Sequence, residues 1–157
     1  MIEIDAFDIK ILARLQANSR QTAETISAEV GLSPAACQRR IKRLREEGVI
    51  AKEIAILNPK AVGGRTTLIV QVNFAYGCTQ SIDSFREQML QVPEVQQGYY
   101  VTGEYDFVLI MTVKDMLDYD RITRELFFTN PSVGRFQTIV AIDTFKSGFT
   151  IPLGTPA

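Results

Sequence analysis

The chain has 157 residues, 46% of them apolar and 22% charged, with a formal net charge of −1. These values suit one medium or two small folded domains and exclude a protein bound to nucleic acid through a global positive field. With no histidine, and with Cys37 and Cys78 outside any metal-like spacing, we expect no catalytic centre, no metal, no disulfide and no cofactor. No signal peptide and no apolar run of membrane-span length are present, so the expected location is the cytoplasm, with no membrane partner.

Asp5 is placed to cap a first helix, in which Phe7, Ile11, Leu12 and Leu15 recur at helical spacing before Asn18 to Gln21 breaks it. Thr22 can cap a short second helix with Ile26 and Val30 inward. Gly31 ends it, supplying the positive φ of a tight turn. Leu32 bridges to Ser33, which caps a third helix with Pro34 at its first position and Gly48 as a left-handed stop. Three helices in this space, with the turn Val30-Gly31-Leu32-Ser33 between the last two, match a helix-turn-helix.

In the third helix Cys37, Ile41 and Leu44 make one apolar face, with Cys37 a small core residue. At about 100° per residue, Gln38, Arg39, Lys42 and Arg43 project to the side and back. From Arg39 to Arg45 five of seven residues are basic and none is acidic. A core helix with a solvated basic face would look the same, and the preceding turn is what favours nucleic acid. Residues 1–60 carry ten Lys/Arg against eight Asp/Glu, and residues 61–157 carry seven against ten, a sign difference that agrees with a basic N-terminal module. Val49, Ile50 and the alternating Ile54 and Ile56 should finish this unit or run on as an extended strand. Asn58-Pro59 is a turn signal and Gly63-Gly64 a joint.

The period then changes. Leu68, Val70, Val72 and Phe74 alternate through a strand from Thr66 to Tyr76. A helix from Ser81, with Ile82, Phe85 and Met89 on one side, is stopped by Pro93. Val95 to Val101 is a second strand, Thr102-Gly103-Glu104 a turn, and Tyr105 to Val113 a third strand. Asp115 can cap another helix with Tyr119, Ile122 and Leu126 inward, and Val133 to Phe145 reads as a long fourth strand. The order β-α-β-β-α-β is the ferredoxin-like arrangement, with helices on one face of an antiparallel sheet. The fold class is therefore α+β. Residues 1–50 form the helix-turn-helix domain, 51–65 a strand and hinge linker, 66–146 the ferredoxin-like domain, and 147–157 a tail that frays or packs late. The uncovered sheet face, with Ile69, Val108, Ile110 and either Ile139 or Val140, would leave apolar area in water, which predicts dimerisation.

Gly-Leu-Ser-Pro entering the third helix, the run RRIKRL followed by GVI, the turn LNP, and GEYDF between the middle strands occur here in one order. Together they resemble the Lrp/AsnC (leucine-responsive/asparagine-responsive, feast/famine) family of transcriptional regulators, over nearly the whole chain from Asp5 to about Lys146. The resemblance implies an N-terminal domain that binds double-stranded operator DNA. It also implies a C-terminal domain that senses an amino acid or related metabolite and builds homodimers that assemble further, commonly into octamers.

With the third helix in the major groove, Gln38 suits adenine and Arg39 guanine, while Lys42 and Arg43 lie nearer the backbone. Ser33, Gln21 and Thr22 could donate to phosphate, and Arg40 and Arg45 serve packing or the helix ends. Asp106 opens the apolar strand FVLIMTV, so its carboxylate needs a backbone N–H, a basic residue or a ligand ammonium as partner. The resemblance favours the ligand. Carried over by position, the effector residues are Tyr100, Gly103, Tyr105 and Asp106, with Met116, Phe128, Thr138 and Val140 as pocket walls or supports. Main-chain N–H groups near Gly103 would hold the effector carboxylate. Relatives often have an aliphatic residue at the position of Tyr100, which puts leucine in doubt as the effector. Competing readings are a metabolite-sensing oligomer without specific DNA binding, an RNA-binding winged helix, and a ferredoxin-like enzyme. The last lacks a nucleophile–base pair, a Gly-rich phosphate loop and a metal cluster.

Overall fold

In the computed structural model, which describes residues 3–59, 61–75 and 79–154, three helices come first: α1 (Ala6–Ala17), α2 (Ala23–Val30) and α3 (Pro34–Glu46). Each begins at a side-chain cap. Asp5 and Asp8 form a reciprocal capping box, Thr22 accepts from the Thr25 N–H, and Ser33 accepts from the Ala36 N–H. Gly31 closes α2 at φ +77°, the left-handed conformation that a side chain would strain. Ile11, Leu15, Ile26, Val30, Cys37, Ile41 and Leu44 form the core of these helices, with Leu12, Val49 and Ile50 packed partly against it.

Phe7 shares the helical spacing of Ile11 and Leu15 but not their burial. It lies at the surface beneath the Arg40 guanidinium, 5.5 Å from its ring centroid, because Asp8 occupies the buried end of the apolar stripe instead. One expectation for this region fails. The segment around Ile54 and Ile56 forms no strand, and both side chains are exposed at 65% and 69%. An extended segment needs a ladder partner, and no described strand of this chain lies beside it.

The second half comprises β1 (Thr66–Phe74), α4 (Thr79–Leu90), β2 (Val95–Tyr100), β3 (Phe107–Val113), α5 (Met116–Thr123) and β4 (Val133–Val140). A π-helical turn, Arg124–Phe128, continues α5 and turns the consecutive residues Leu126 and Phe127 both inward. The sheet is antiparallel in the order β2-β3-β1-β4. Leu68, Val70 and Val72 of β1 and Phe107, Leu109, Met111 and Val113 of β3 face Phe85, Met89, Tyr119, Ile122, Leu126 and Phe127 of the helices. This is the ferredoxin-like layering.

The fourth strand is shorter than expected. It stops at Val140, opposite Leu68, with one further bond from the Ala141 N–H to the Thr67 carbonyl. Thr66, the first residue of its ladder partner β1, would stand opposite Ile142 in this register, but the pairing ends before it, and Ile142 and Phe145 are both fully exposed. Tyr76, the expected end of the first strand, and Cys78 lie outside the described residues.

The chain divides into two compact units, residues up to Ile56 with the tail from Ser147, and Leu57–Lys146. The tail belongs to the helical unit through a two-bond clamp. The Gln16 amide donates to the Ile151 carbonyl at 3.0 Å and accepts from the Ile151 N–H at 2.7 Å. No helix among the described residues is long and apolar enough to cross a membrane.

Candidate functional site

The apolar face of α3 fixes where its other residues point. Gln38, Arg39 and Lys42 lie away from the buried stripe Cys37, Ile41 and Leu44, and all three are exposed. Lys42 approaches Glu46 one turn on, at 3.6 Å. Arg39 has no ion-pair partner among the described residues. Ser33 Oγ and Thr22 Oγ1 are occupied as helix caps, at the starts of α3 and α2. Gln21 is half-buried just before α2, and its Oε1 is buried without a hydrogen-bond partner among the described residues.

Arg43 departs from expectation. It turns toward α1, where its Nη2 meets Asp8 Oδ2 at 2.5 Å. Arg40 donates to Asp8 Oδ1 at 2.9 Å and to Asp5 Oδ2 at 2.7 Å. These bonds hold the Arg40 guanidinium more firmly charged than usual, the hydrogen bond to Asp8 leading that to Asp5. Arg45 makes two bonds to Glu53, at 3.1 and 2.9 Å. Five cations in seven residues are thus sorted by the fold. Burial raises the Cys37 thiol above its ordinary value, which keeps it an inert core group.

In the second unit the β2–β3 turn is stitched to its neighbours. Gly103 takes φ +123°, open only to glycine without strain. Asp106 finds the first of its three possible partners: a carboxylate oxygen accepts from the Phe74 N–H at 2.7 Å, while its own N–H donates to Val72. The Tyr105 hydroxyl donates to Gln137 at 2.8 Å. Arg135 reaches Glu104 at 2.8 Å and Asn73 at 3.2 Å with its guanidinium near the Tyr105 ring, and Asn73 donates to the Glu104 carbonyl. Sequence reasoning missed Asn73, Arg135 and Gln137. Their roles depend on the pairing of Asn73 with Arg135 and Gln71 with Gln137 across β1 and β4, which no short-range pattern encodes.

The eight expected effector residues do not line one cavity among the described residues. Tyr100 sits on edge strand β2, its ring 5.1 Å from Phe107. Thr138 and Val140 sit on the opposite edge strand, β4, with Thr138 hydrogen-bonded to the Tyr119 hydroxyl. Burial holds that phenol above its ordinary value, the bond to Thr138 working the other way. Phe128 stands exposed, edge-on to Phe136 at 5.5 Å, and Met116 is half-exposed at the start of α5. A polar cleft in this unit is lined by Ser81, Ser84, Gln88, Asn130 and Ser132, none of the eight.

Residues 67–151 match the Lrp/AsnC ligand binding domain and residues 4–45 the AsnC-type helix-turn-helix domain. The chain belongs to the Lrp/AsnC family of transcriptional regulators. An uncharacterised HTH-type transcriptional regulator of Sinorhizobium fredii is 43% identical over 97% of this chain and 90% of its own length. The leucine-responsive regulatory protein of Haemophilus influenzae is 33% identical over 91% and 86%. Among solved structures, a transcriptional regulator of Neisseria meningitidis in complex with L-methionine superposes with a TM-score of 0.86 at 28% identity, covering 96% of this chain and 97% of that one. The helix-turn-helix match takes in α1, α2 and α3 as far as Arg45, and with them Gln38, Arg39, Lys42 and Arg43. The relatives are regulators, which disposes of the enzyme reading.

Proposed function

We propose that this Lrp/AsnC regulator reads operator DNA with the outward face of α3 and adjusts its binding or assembly to an amino acid. The observation that carries the DNA half is the exposed set Gln38, Arg39 and Lys42, opposite the buried stripe and with Arg39 unpaired among the described residues. Gln38 and Arg39 contact base edges and Lys42 a phosphate, while Ser33, Thr22 and Gln21 lie where α2 and α3 begin and face the DNA backbone. The operator would be reached in the cytoplasm.

The effector half rests on the β2–β3 turn and on the methionine complex of the Neisseria regulator. The Asp106 oxygen not bonded to Phe74 takes the effector ammonium, and main-chain N–H groups near Gly103 take its carboxylate. Tyr100 lies on one sheet edge, and Met116, Phe128, Thr138 and Val140 belong to α5, its π-helical continuation and the other edge. A complete pocket therefore draws on more than one copy of the chain. The strand register supports a dimer through the open sheet face: Ile69 stands opposite both Ile110 and Ile139, so Ile139 shares that face, and Val140 stands opposite the buried Leu68. Dimers then assemble into a higher oligomer, such as an octamer. The bulk of Tyr100 favours an effector other than leucine.

The test is a mobility shift of promoter duplex across salt concentrations, with each free amino acid in turn. A strongly salt-dependent shift that one amino acid changes is the expected result. Salt-independent binding, or none, would refute the DNA reading.

A further inference from the structure

The basic run of α3 is split by a carboxylate on another helix. Asp8 is fully buried, and each of its oxygens holds one arginine of α3, with Oδ2 also accepting from the Asp5 N–H at 3.2 Å. Arg40 and Arg43 are three residues apart and so project to one side of α3. Arg39 and Lys42, also three apart, are centred about 100° further round the helix, with Arg39 the neighbour of Arg43 one turn away. Asp5 adds a second carboxylate oxygen on Arg40, and Glu47 lies 3.8 Å from Arg43 Nε.

A buried carboxylate is a weak route to stability, since its desolvation offsets much of the attraction and an apolar side chain could fill the space. What two directional ion pairs add to the apolar packing of Cys37, Ile41 and Leu44 is a tighter hold on the rotation of α3 about its own axis. We infer that Asp8 is a specificity-determining positioning residue: by holding Arg40 and Arg43 against α1, it keeps two of the five cations off the duplex and leaves Arg39 and Lys42 to face it. The inference rests on the proposed DNA-facing role of α3. Without Asp8 the two guanidinium groups lose their buried anchor. They would then add charge toward phosphate, which tightens binding to every sequence alike and so erodes discrimination.

The experiment measures operator and random-duplex affinity of the full-length protein across salt concentrations. Asp8→Asn preserves shape and removes the charge. The slope of log affinity against log salt should steepen by about 1 to 2, as up to two more phosphates are neutralised. Random-duplex binding should tighten about tenfold or more, and the operator-to-random ratio should fall. In the Arg40→Gln/Arg43→Gln variant each amide can still donate to Asp8, and the slope should stay at the wild-type value. This second variant decides the matter if Asp8→Asn fails to fold. A slope that drops by about 0.9 or more in the arginine variant would show these groups on phosphate and overturn the inference. An unchanged slope and ratio in folded Asp8→Asn would overturn it as well. Arg39→Ala separates the two levels: if it also leaves affinity and slope unchanged, the DNA-facing reading itself has failed. If it weakens binding while the arginine variant does too, only the role of Asp8 has.

Discussion

Among the described residues, seven buried apolar side chains hold the helical unit together, and it nevertheless admits the charged Asp8 at the end of its core. Thirteen such residues hold the sheet unit, four of them with aromatic rings, and the charged residues around its turn stay at the surface. The apolar contacts of the sheet unit can be non-directional, because backbone ladders already fix where each strand lies. A helix has no such ladder to its neighbours. Packing of its apolar stripe sets the rotation of α3 against α1 and α2, and the Asp8 pairs add directional bonds that tighten it. The contrast also matches the two proposed tasks, with directional contacts on the side proposed to read DNA and apolar area on the side proposed to assemble.

The largest effect should come from the sheet core. Phe85 is buried among Phe74, Phe107 and Phe127, and Phe85→Ala should cost about 3–5 kcal/mol. Calorimetry should show the transition of the sheet unit lowered while that of the helical unit stays in place. One transition shifted as a whole would mean that the two units do not stand apart. Of similar size is the effect of a charge on the open face. Ile110→Lys places an unpaired ammonium where a second copy is proposed to pack, at about 3–5 kcal/mol if it is buried there. Sedimentation should then show monomers, and an unchanged assembly would exclude this face as the interface.

Two substitutions cross-check the division of labour. Arg39→Ala should weaken operator binding about 10- to 100-fold, the scale of one base-reading contact, and leave the heat of effector binding unchanged. Asp106→Asn retains an acceptor for the Phe74 N–H and removes the charge, so it should abolish the effector heat and leave duplex binding without effector intact. If either variant lost both functions, the two halves would not be separable by single side chains.

Local signals make most of this architecture legible. The caps Asp5, Thr22, Ser33 and Asp115, the Gly31 turn and the alternation through β1 and β3 each depend on residues a few positions apart. The departures share one cause, dependence on a distant partner. Asn73 meets Arg135 only because β1 pairs with β4, far along the chain. Arg43 reads as a DNA contact until α1 brings Asp8 beside it. The end of β4 at Val140 is hidden for the same reason, since it depends on how far the pairing with the distant β1 runs. The proposed effector residues are the least legible, because Tyr100 and Thr138 lie on opposite edges of one sheet and a single sequence shows neither edge.

The smallest effect sharpens the contrast on its electrostatic side. Asp5 caps α1 and also touches Arg40, so an alanine there would remove two interactions at once. Asp5→Asn separates them, because asparagine caps a helix about as well as aspartate and carries no charge. The Asp8 N–H, and after it Arg40, holds the Asp5 carboxyl below its ordinary value, against an opposing effect of burial. A carboxyl lowered in the folded state stabilises above its unfolded pKa, and that contribution is lost as pH falls through the folded value. Wild type should therefore exceed Asp5→Asn in stability near neutral pH by less than about 1 kcal/mol, since the pair is partly exposed and screened. The gap should close as the pH drops below the usual carboxylate range, and shrink with added salt at neutral pH. Denaturant melts at several pH values measure it. A gap that persisted in acid would trace the effect to the cap rather than the charge, and Asp8 would then be the only carboxylate of the pair that positions α3 electrostatically.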